Sequence, residues 1–204
     1  MQYITTAEEL RATYRQPADL AVKKELRALD GHCRSFIARS PFVLIGSSDG
    51  RGHADVTPKG DRPGFVAVLD ARTIAIPDRP GNNRLDTLEN ILVDPSIGLL
   101  FLIPGMNETL RVNGKAKITA DDSLRALLEV DGKLPQSVIV VTVEAAYMHC
   151  AKAFMRSQLW QPDTWPERQT LPTLGTILKD QLALSESAEA TDAWLDTAYR
   201  NSMW

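Results

Sequence analysis

"RTIAIPDRPGNNRLDTLENILVDPSIGLLFLI", Arg72 to Ile103, sets two short apolar runs on either side of one amphipathic segment. Thr73, Ile74 and Ile76 are β-branched, and the run Thr73 to Ile76 is too short for a helix, so it predicts a strand. A cationic, amide-rich Pro-Gly turn follows. Leu85, Leu88, Ile91 and Leu92 then recur at helical spacing until Asp94-Pro95, where the proline disfavours helix in the residue before it. Ser96 to Ile103 predicts a second strand. Strand–helix–strand can build either a parallel or an antiparallel sheet, so the neighbouring segments decide the fold.

Those neighbours are strands with little helix between them. "PFVLIGSS" and "HADVT" flank the turn signal "SDGRG" and predict a hairpin. "GFVAVLD" and "RTIAIPD" are joined by a tight Asp-Ala turn. "TLRVNGKAKIT" and the β-branched "SVIVVTVEAAYMH" add two more, with the helical "DDSLRALLEV" between them. Parallel strands need crossovers of about a dozen residues or more, and most are missing. The expectation is a mainly β fold with flanking helices (α+β). Its centre is a six- to seven-stranded antiparallel split β-barrel with N-terminal and C-terminal helices.

Three segments follow: an N-terminal helical segment (1–40), the barrel (41–160) and a C-terminal helical extension (161–204) packed on the barrel or a partner chain. In the first, Thr6 and Glu9 form a capping box. Pro17 opens a helical stretch with Leu20, Leu26 and Leu29 on one side, which Asp30-Gly31 interrupts. All four tryptophans lie from Trp160 onward.

A net charge of −3 argues against nucleic acid as a partner. No apolar run approaches the ~20 residues of a membrane span, and "MQYITTAEEL" has no secretory pattern. The expectation is a cytoplasmic protein. Two cysteines, Cys33 and Cys150, are too few for a disulfide framework and form no metal motif, so both read as semi-buried thiols. Neither a GxSxG elbow nor an HExxH motif is present, and no catalytic residue is assigned. The cationic positions carry more information. A helix beginning near Asn82 or Asn83 would present unpaired N–H groups and its positive dipole end, and Arg79 and Arg84 could grip a phosphate there. Equally, Asn82 or Asn83 could simply cap that helix while the arginines point to water.

The run "DVTPKGDRPGFVAVLDARTIAIPDRPGNNRLDTLENILVDPSIGLLFLIPGMNETLRVNGKAKIT" resembles the pyridoxamine 5'-phosphate oxidase-like family of FMN-binding split barrels. The resemblance spans roughly Phe42 to Trp160. A strand ends in Lys59, a hairpin and the arginine-bearing turn follow, and a helix then breaks at Asp94-Pro95. "RVNGKAKI" closes the series. "HCAKAFMRSQLW" is similar to a segment that an uncharacterised bacterial branch carries after the last strand.

The resemblance implies FMN as cofactor and a homodimer with cofactor sites at the interface. Thr57, Pro58 and Lys59 would line the flavin. Ile76, Pro77 and Asp78 match the strand end along the isoalloxazine, and Arg79, Asn83 and Arg84 match the phosphate region. Thr109 and Arg111 match a strand that reaches the cofactor across the interface, with Arg111 alternatively a cross-strand partner of Glu108 or Glu144. Lys152, Arg156, Ser157 and Trp160 would come from the partner chain. The implied activity is an FMN-dependent oxidoreductase acting on a small molecule, its flavin reduced by NAD(P)H. Arg62, Arg79 or Lys152 would meet the donor's phosphates. The alternatives are a non-catalytic flavin-binding module, or a deazaflavin- or haem-handling member with His149 or His53 as haem ligand. The oxidase that names the family has an Arg/Lys pair where this chain has Asn82-Asn83-Arg84. Its C-terminal Arg–His pattern is not evident in "ATDAWLDTAYRNSMW", so vitamin B6 oxidation is not implied.

Overall fold

The computed structural model describes residues 1–203; Trp204, the last of the tryptophans, lies outside the described residues. The strands are β1 (Phe42–Ser48), β2 (Ala54–Gly60), β3 (Ala67–Val68), β4 (Thr73–Asp78), β5 (Ser96–Leu102), β6 (Thr109–Thr119) and β7 (Ser137–His149). They form one antiparallel sheet in the order β2-β1-β5-β6-β7-β4-β3, which stays open between β2 and β3. This is the expected split-barrel arrangement with all seven strands present.

Alternation explains the core. Along β1 and β5 every second residue is buried, and Val43, Ile45, Leu99 and Phe101 are essentially inaccessible. Leu110, Val112, Ile139 and Val141 meet them from β6 and β7. A full burial of this kind stabilises by about 1.5–3 kcal/mol per side chain.

Two ion pairs bridge the opening in the sheet. Lys59 Nζ on β2 donates to Asp78 Oδ1 on β4 at 2.6 Å, and Arg79 Nε donates to Asp61 Oδ2 at 2.8 Å. β3 pairs only with Ala75 and Ile74, so the end of β4 lacks a ladder partner on that side. Side-chain charge bridges what backbone pairing leaves open.

Upstream of the barrel, α1 (Ala7–Thr13) carries the expected capping box: Thr6 Oγ1 accepts from the Glu9 N–H and Glu9 Oε2 accepts from the Thr6 N–H. The stretch expected to run from Pro17 is helical only over α2 (Asp19–Lys23). Leu20 is exposed, while Leu26 bridges to Ala146 on β7 and Leu29 enters the core. Asp30 does not merely interrupt a helix. It caps α3 (Gly31–Ile37) by accepting from the Cys33 N–H, and Phe36 and Ile37 of that helix join the barrel core.

The cysteines are not alike: Cys33 is buried and Cys150 exposed. Burial, reinforced by the Asp30 carboxylate, pushes the Cys33 thiol up to about 11. A thiol raised this far is protonated at pH 8, and the thiolate is the reactive species. The native protein should therefore release one equivalent of thionitrobenzoate from Ellman's reagent at pH 8, and two once unfolded. Two equivalents from the native state would contradict the placement of Cys33.

Within the barrel, α4 (Asp86–Val93) joins β4 to β5 and α5 (Asp122–Leu127) joins β6 to β7; α6 (Lys152–Ser157), α7 (Leu174–Leu182) and α8 (Ala188–Ser202) follow it. No helix is long and apolar enough to cross a membrane among the described residues.

Candidate functional site

β2 alternates in an unusual way for a barrel strand: Asp55, Thr57 and Lys59 are half-buried on one face, and Val56, Pro58 and Gly60 are exposed on the other. Its half-buried face is polar because it borders a cavity rather than the core. That cavity, about 190 Å³, is walled by β2, the end of β4, the turn Arg79–Leu85 and the start of α4.

The turn is where the structure departs most from the reading of the sequence. α4 starts at Asp86, not near Asn82 or Asn83. Its N-cap position is Leu85, in the left-handed region at φ 63°, with no side chain capping the helix. Asn82 Oδ1 instead accepts from the Arg84 N–H at 3.1 Å, and Asn83 is itself left-handed at φ 57°. Non-glycine residues held left-handed cost on the order of 1–3 kcal/mol each and concentrate at binding sites. An asparagine cap is thus absent, and the first amides of α4 remain open toward the cavity.

Each cation here already has a carboxylate. Lys59 holds Asp78, Arg79 holds Asp61, and Arg84 Nε donates to Asp86 Oδ2 at 2.8 Å. Asp86 pushes the Arg84 guanidinium above its ordinary pKa. Both arginines use Nε for these bonds, so their terminal nitrogens remain available to an anion entering the cavity. Asn90 on α4 donates to Ser47 Oγ and Asp55 Oδ2, tying the helix to β1 and β2.

Asp61 has a fully inaccessible side chain, and that of Arg79 is only 14% accessible. Arg79→Ala should cost roughly 2–3 kcal/mol, below the cost for a deeply buried pair because Arg79 keeps some water contact. Urea unfolding would check this, and Arg79→Ala/Asp61→Asn should recover much of the loss.

The candidate residues fall into three groups. Thr57, Lys59, Asp78, Arg79, Asn83 and Arg84 share the cavity. Pro58 is on the opposite, exposed face of β2, while Ile76 and Pro77 are buried and Ile76 belongs to the core. Thr109, Arg111, Lys152, Arg156, Ser157 and Trp160 line no part of it. Thr109 pairs with His149 and Arg111 with Tyr147, at the end of the sheet from which α6 departs. Arg111 contacts Asn113 and lies over the Tyr147 ring, 5.9 Å from its centroid, rather than pairing with Glu108 or Glu144. The Trp160 indole donates to the Met106 carbonyl and stacks on Phe154, and Ser157 Oγ bonds within its own helix. Arg62, considered for a donor's phosphate, makes a two-pronged contact with Asp131.

The sequence reading missed Asp61, Asp86 and Gln136. Asp86 had a legible signal, an acidic residue two positions after Arg84 at a helix start. Asp61 and Gln136 reach the site only through the fold.

The family model for pyridoxamine 5'-phosphate oxidase matches residues 29–150. A search of curated proteins found no match. Among solved structures, HupZ of Group A Streptococcus is 15% identical, with a TM-score of 0.49 over 59% of this chain and 93% of that one. A candidate pyridoxamine 5'-phosphate oxidase from Lactobacillus delbrueckii is 20% identical, with a TM-score of 0.49 over 61% and 98%. An FMN-binding protein from Syntrophomonas wolfei is 16% identical, with a TM-score of 0.45 over 57% and 83%. The matched region starts at Leu29, the first residue of the N-terminal segment in the barrel core, and stops before Lys152, so the α6 candidates lie outside it. With 122 of the 204 residues under the family model and the split-barrel sheet in place, the chain belongs to the pyridoxamine 5'-phosphate oxidase family.

Proposed function

We propose that the protein is a cytoplasmic FMN-dependent oxidoreductase acting on a small molecule, with NAD(P)H as electron donor, and that it works as a homodimer with its cofactor sites at the interface. The observation that carries this reading is the uncapped start of α4, open to a cavity that the free guanidinium nitrogens of Arg79 and Arg84 also border. Those donors fit a phosphate. The carboxylates of Asp55, Asp78 and Asp86 on the same cavity would limit affinity for anions in general. A ligand would need further contacts, as a nucleotide provides.

The cavity volume of about 190 Å³ suits the phosphate end of the cofactor only; pockets that enclose a ligand of this size run to roughly 300–1,000 Å³. A second wall is required, and a second copy of the chain is its simplest source. Thr109, Arg111 and the α6 residues are the groups that the second copy would bring. FMN, when bound, supplies the hydride and electron transfer. Arg79, Arg84 and the α4 amides would hold its phosphate, and Lys59 and Thr57 would border the chain leading from it. For the haem alternative, Asp49 holds His53 Nδ1 at 2.7 Å and leaves Nε2 open to a metal, but neither His53 nor His149 lines the phosphate-sized cavity.

The test is direct. The purified protein should show a flavin spectrum and release a ligand of the mass of FMN. Anaerobic mixing with NADH or NADPH should bleach the flavin, and oxygen should restore it. Bound flavin that dithionite reduces but neither nicotinamide does would end the NAD(P)H reading and shift the weight to a binding module or a deazaflavin-handling protein.

A further inference from the structure

Three cations among the described residues border the cavity, each with a carboxylate, but the three pairs are not alike. Asp78 and Asp86 line the cavity themselves, beside the cations they hold. Asp61 does not line it, and its side chain is fully inaccessible while that of Arg79 reaches the cavity wall. The Arg79 guanidinium therefore has its carboxylate behind it and the cavity in front. Arg84 is held differently: its side chain is 72% exposed, and its partner sits two residues later at the surface.

Asp61 is itself held from two sides. It follows Gly60, whose pairing with Phe42 ends the ladder between β1 and β2. The Asp61 N–H donates to the Pro41 carbonyl at 3.1 Å, and Asp61 Oδ1 accepts from the Arg62 N–H at 2.6 Å. Its other oxygen, Oδ2, takes Arg79 Nε. Main-chain bonds fix the carboxylate, and the carboxylate fixes the guanidinium.

We propose that Asp61 is a positioning residue that makes the cavity select a phosphorylated ligand: by holding Nε, it keeps the two terminal nitrogens of Arg79 aimed at the phosphate. A guanidinium offers paired N–H groups that match phosphate oxygens, and the match is directional. An arginine that finds this direction only on binding gives up rotamer freedom, whereas one already held does not. The inference rests on the FMN reading above and adds what would discriminate FMN from riboflavin, which shares the ring and ribityl chain but lacks the phosphate.

Charge and position predict opposite results when this carboxylate is removed. As a bare negative charge beside an anion site, Asp61 would oppose binding, and its loss would tighten FMN. As a positioning residue it does the reverse. Asp61→Ala leaves Arg79 Nε without its acceptor. Asp61→Asn keeps one oxygen that can still turn to Nε, at the expense of the Arg62 N–H.

The experiment titrates the full-length apo protein with FMN and with riboflavin, following flavin fluorescence. Asp61→Ala should raise the FMN dissociation constant roughly tenfold or more, as losing one aligned charge-assisted bond does. The riboflavin constant should stay within about twofold, as expected where the altered group is uncoupled from the ligand. Asp61→Asn should weaken FMN by less than Asp61→Ala. Arg79→Ala/Asp61→Asn, in which neither charge is left without its partner, should bind FMN as Arg79→Ala does. That comparison carries the test if Asp61→Ala folds poorly.

Unchanged or tightened FMN binding in Asp61→Ala overturns the positioning role. So does an equal loss of FMN and riboflavin, which would mark general damage to the cavity. A double variant weaker than Arg79→Ala shows that Asp61 does not act through Arg79. A wild type that binds FMN no tighter than riboflavin seats the phosphate elsewhere and overturns the selectivity. One that binds neither overturns the FMN reading itself.

Discussion

Arg84→Glu should raise the dissociation constant for FMN by two orders of magnitude or more, while the apo protein melts close to wild type. Arg84 is largely solvent-exposed and its protein bond is to the exposed carboxylate of Asp86, so the fold loses little with it. The cavity loses far more. One charge-assisted bond to phosphate is worth on the order of 1.5–3 kcal/mol. The new carboxylate would add to Asp55, Asp78 and Asp86 on the same walls and repel a dianion. Quenching of flavin fluorescence during titration of the apo protein measures the constant directly. The stabilisation that excess FMN gives the wild type should largely vanish, because a ligand stabilises the form that binds it. An unchanged constant would place the phosphate elsewhere and remove the reason for the uncapped helix start.

Seven strands were legible because β-branched runs and tight turns report on local geometry. The α4 entry was not. Asn82 and Asn83 are favoured cap residues, and sequence preference alone places the helix start there. The chain instead continues through two left-handed residues, one of them a leucine, to begin at Asp86. A left-handed leucine has no sequence signature, since local preference opposes it. Leu92 misled for a related reason: it keeps helical spacing with Leu88 and Ile91 yet is exposed, as is Leu85. The spacing reports the helix but not how wide a stripe the barrel covers.

The site shows the same division. That Arg79 and Arg84 flank a helix entry could be read along the chain. That Asp61 pairs with Arg79, eighteen residues away, depends on how the β2 and β4 ends meet across the opening in the sheet. The split between cavity residues and the Arg111–Trp160 group came from the resemblance. The geometry of one chain keeps those groups apart, and the second copy of the proposed homodimer would bring them together.

Gly114→Ala should destabilise the protein by about 4 kcal/mol or more, in the range reserved for severe steric mechanisms. "Asn-Gly" at 113–114 carries the strongest short hairpin signal, yet the chain runs straight through it in the middle of β6. The glycine serves another purpose. Pairing between β6 and β7 shifts register there: Asn113 faces Ala145 and Gly114 faces Val143, which leaves Glu144 bulged out. A bulge bends and twists its strand, and this one lies on the longest pair of strands, where the sheet must coil into a barrel. At the bulge the two backbones come so close that a Cβ on Gly114 would sit 2.1 Å from the Thr142 carbonyl oxygen. The obstacle is main chain rather than a side chain that could swing away, so the strands must part. In a protein of this size the loss corresponds to a fall of roughly 8–16 °C in the melting midpoint. Glu144→Ala, beside it but exposed, should change the midpoint by little. Were Gly114→Ala to melt like the wild type, the close approach of β6 and β7 would not be needed to curl the sheet.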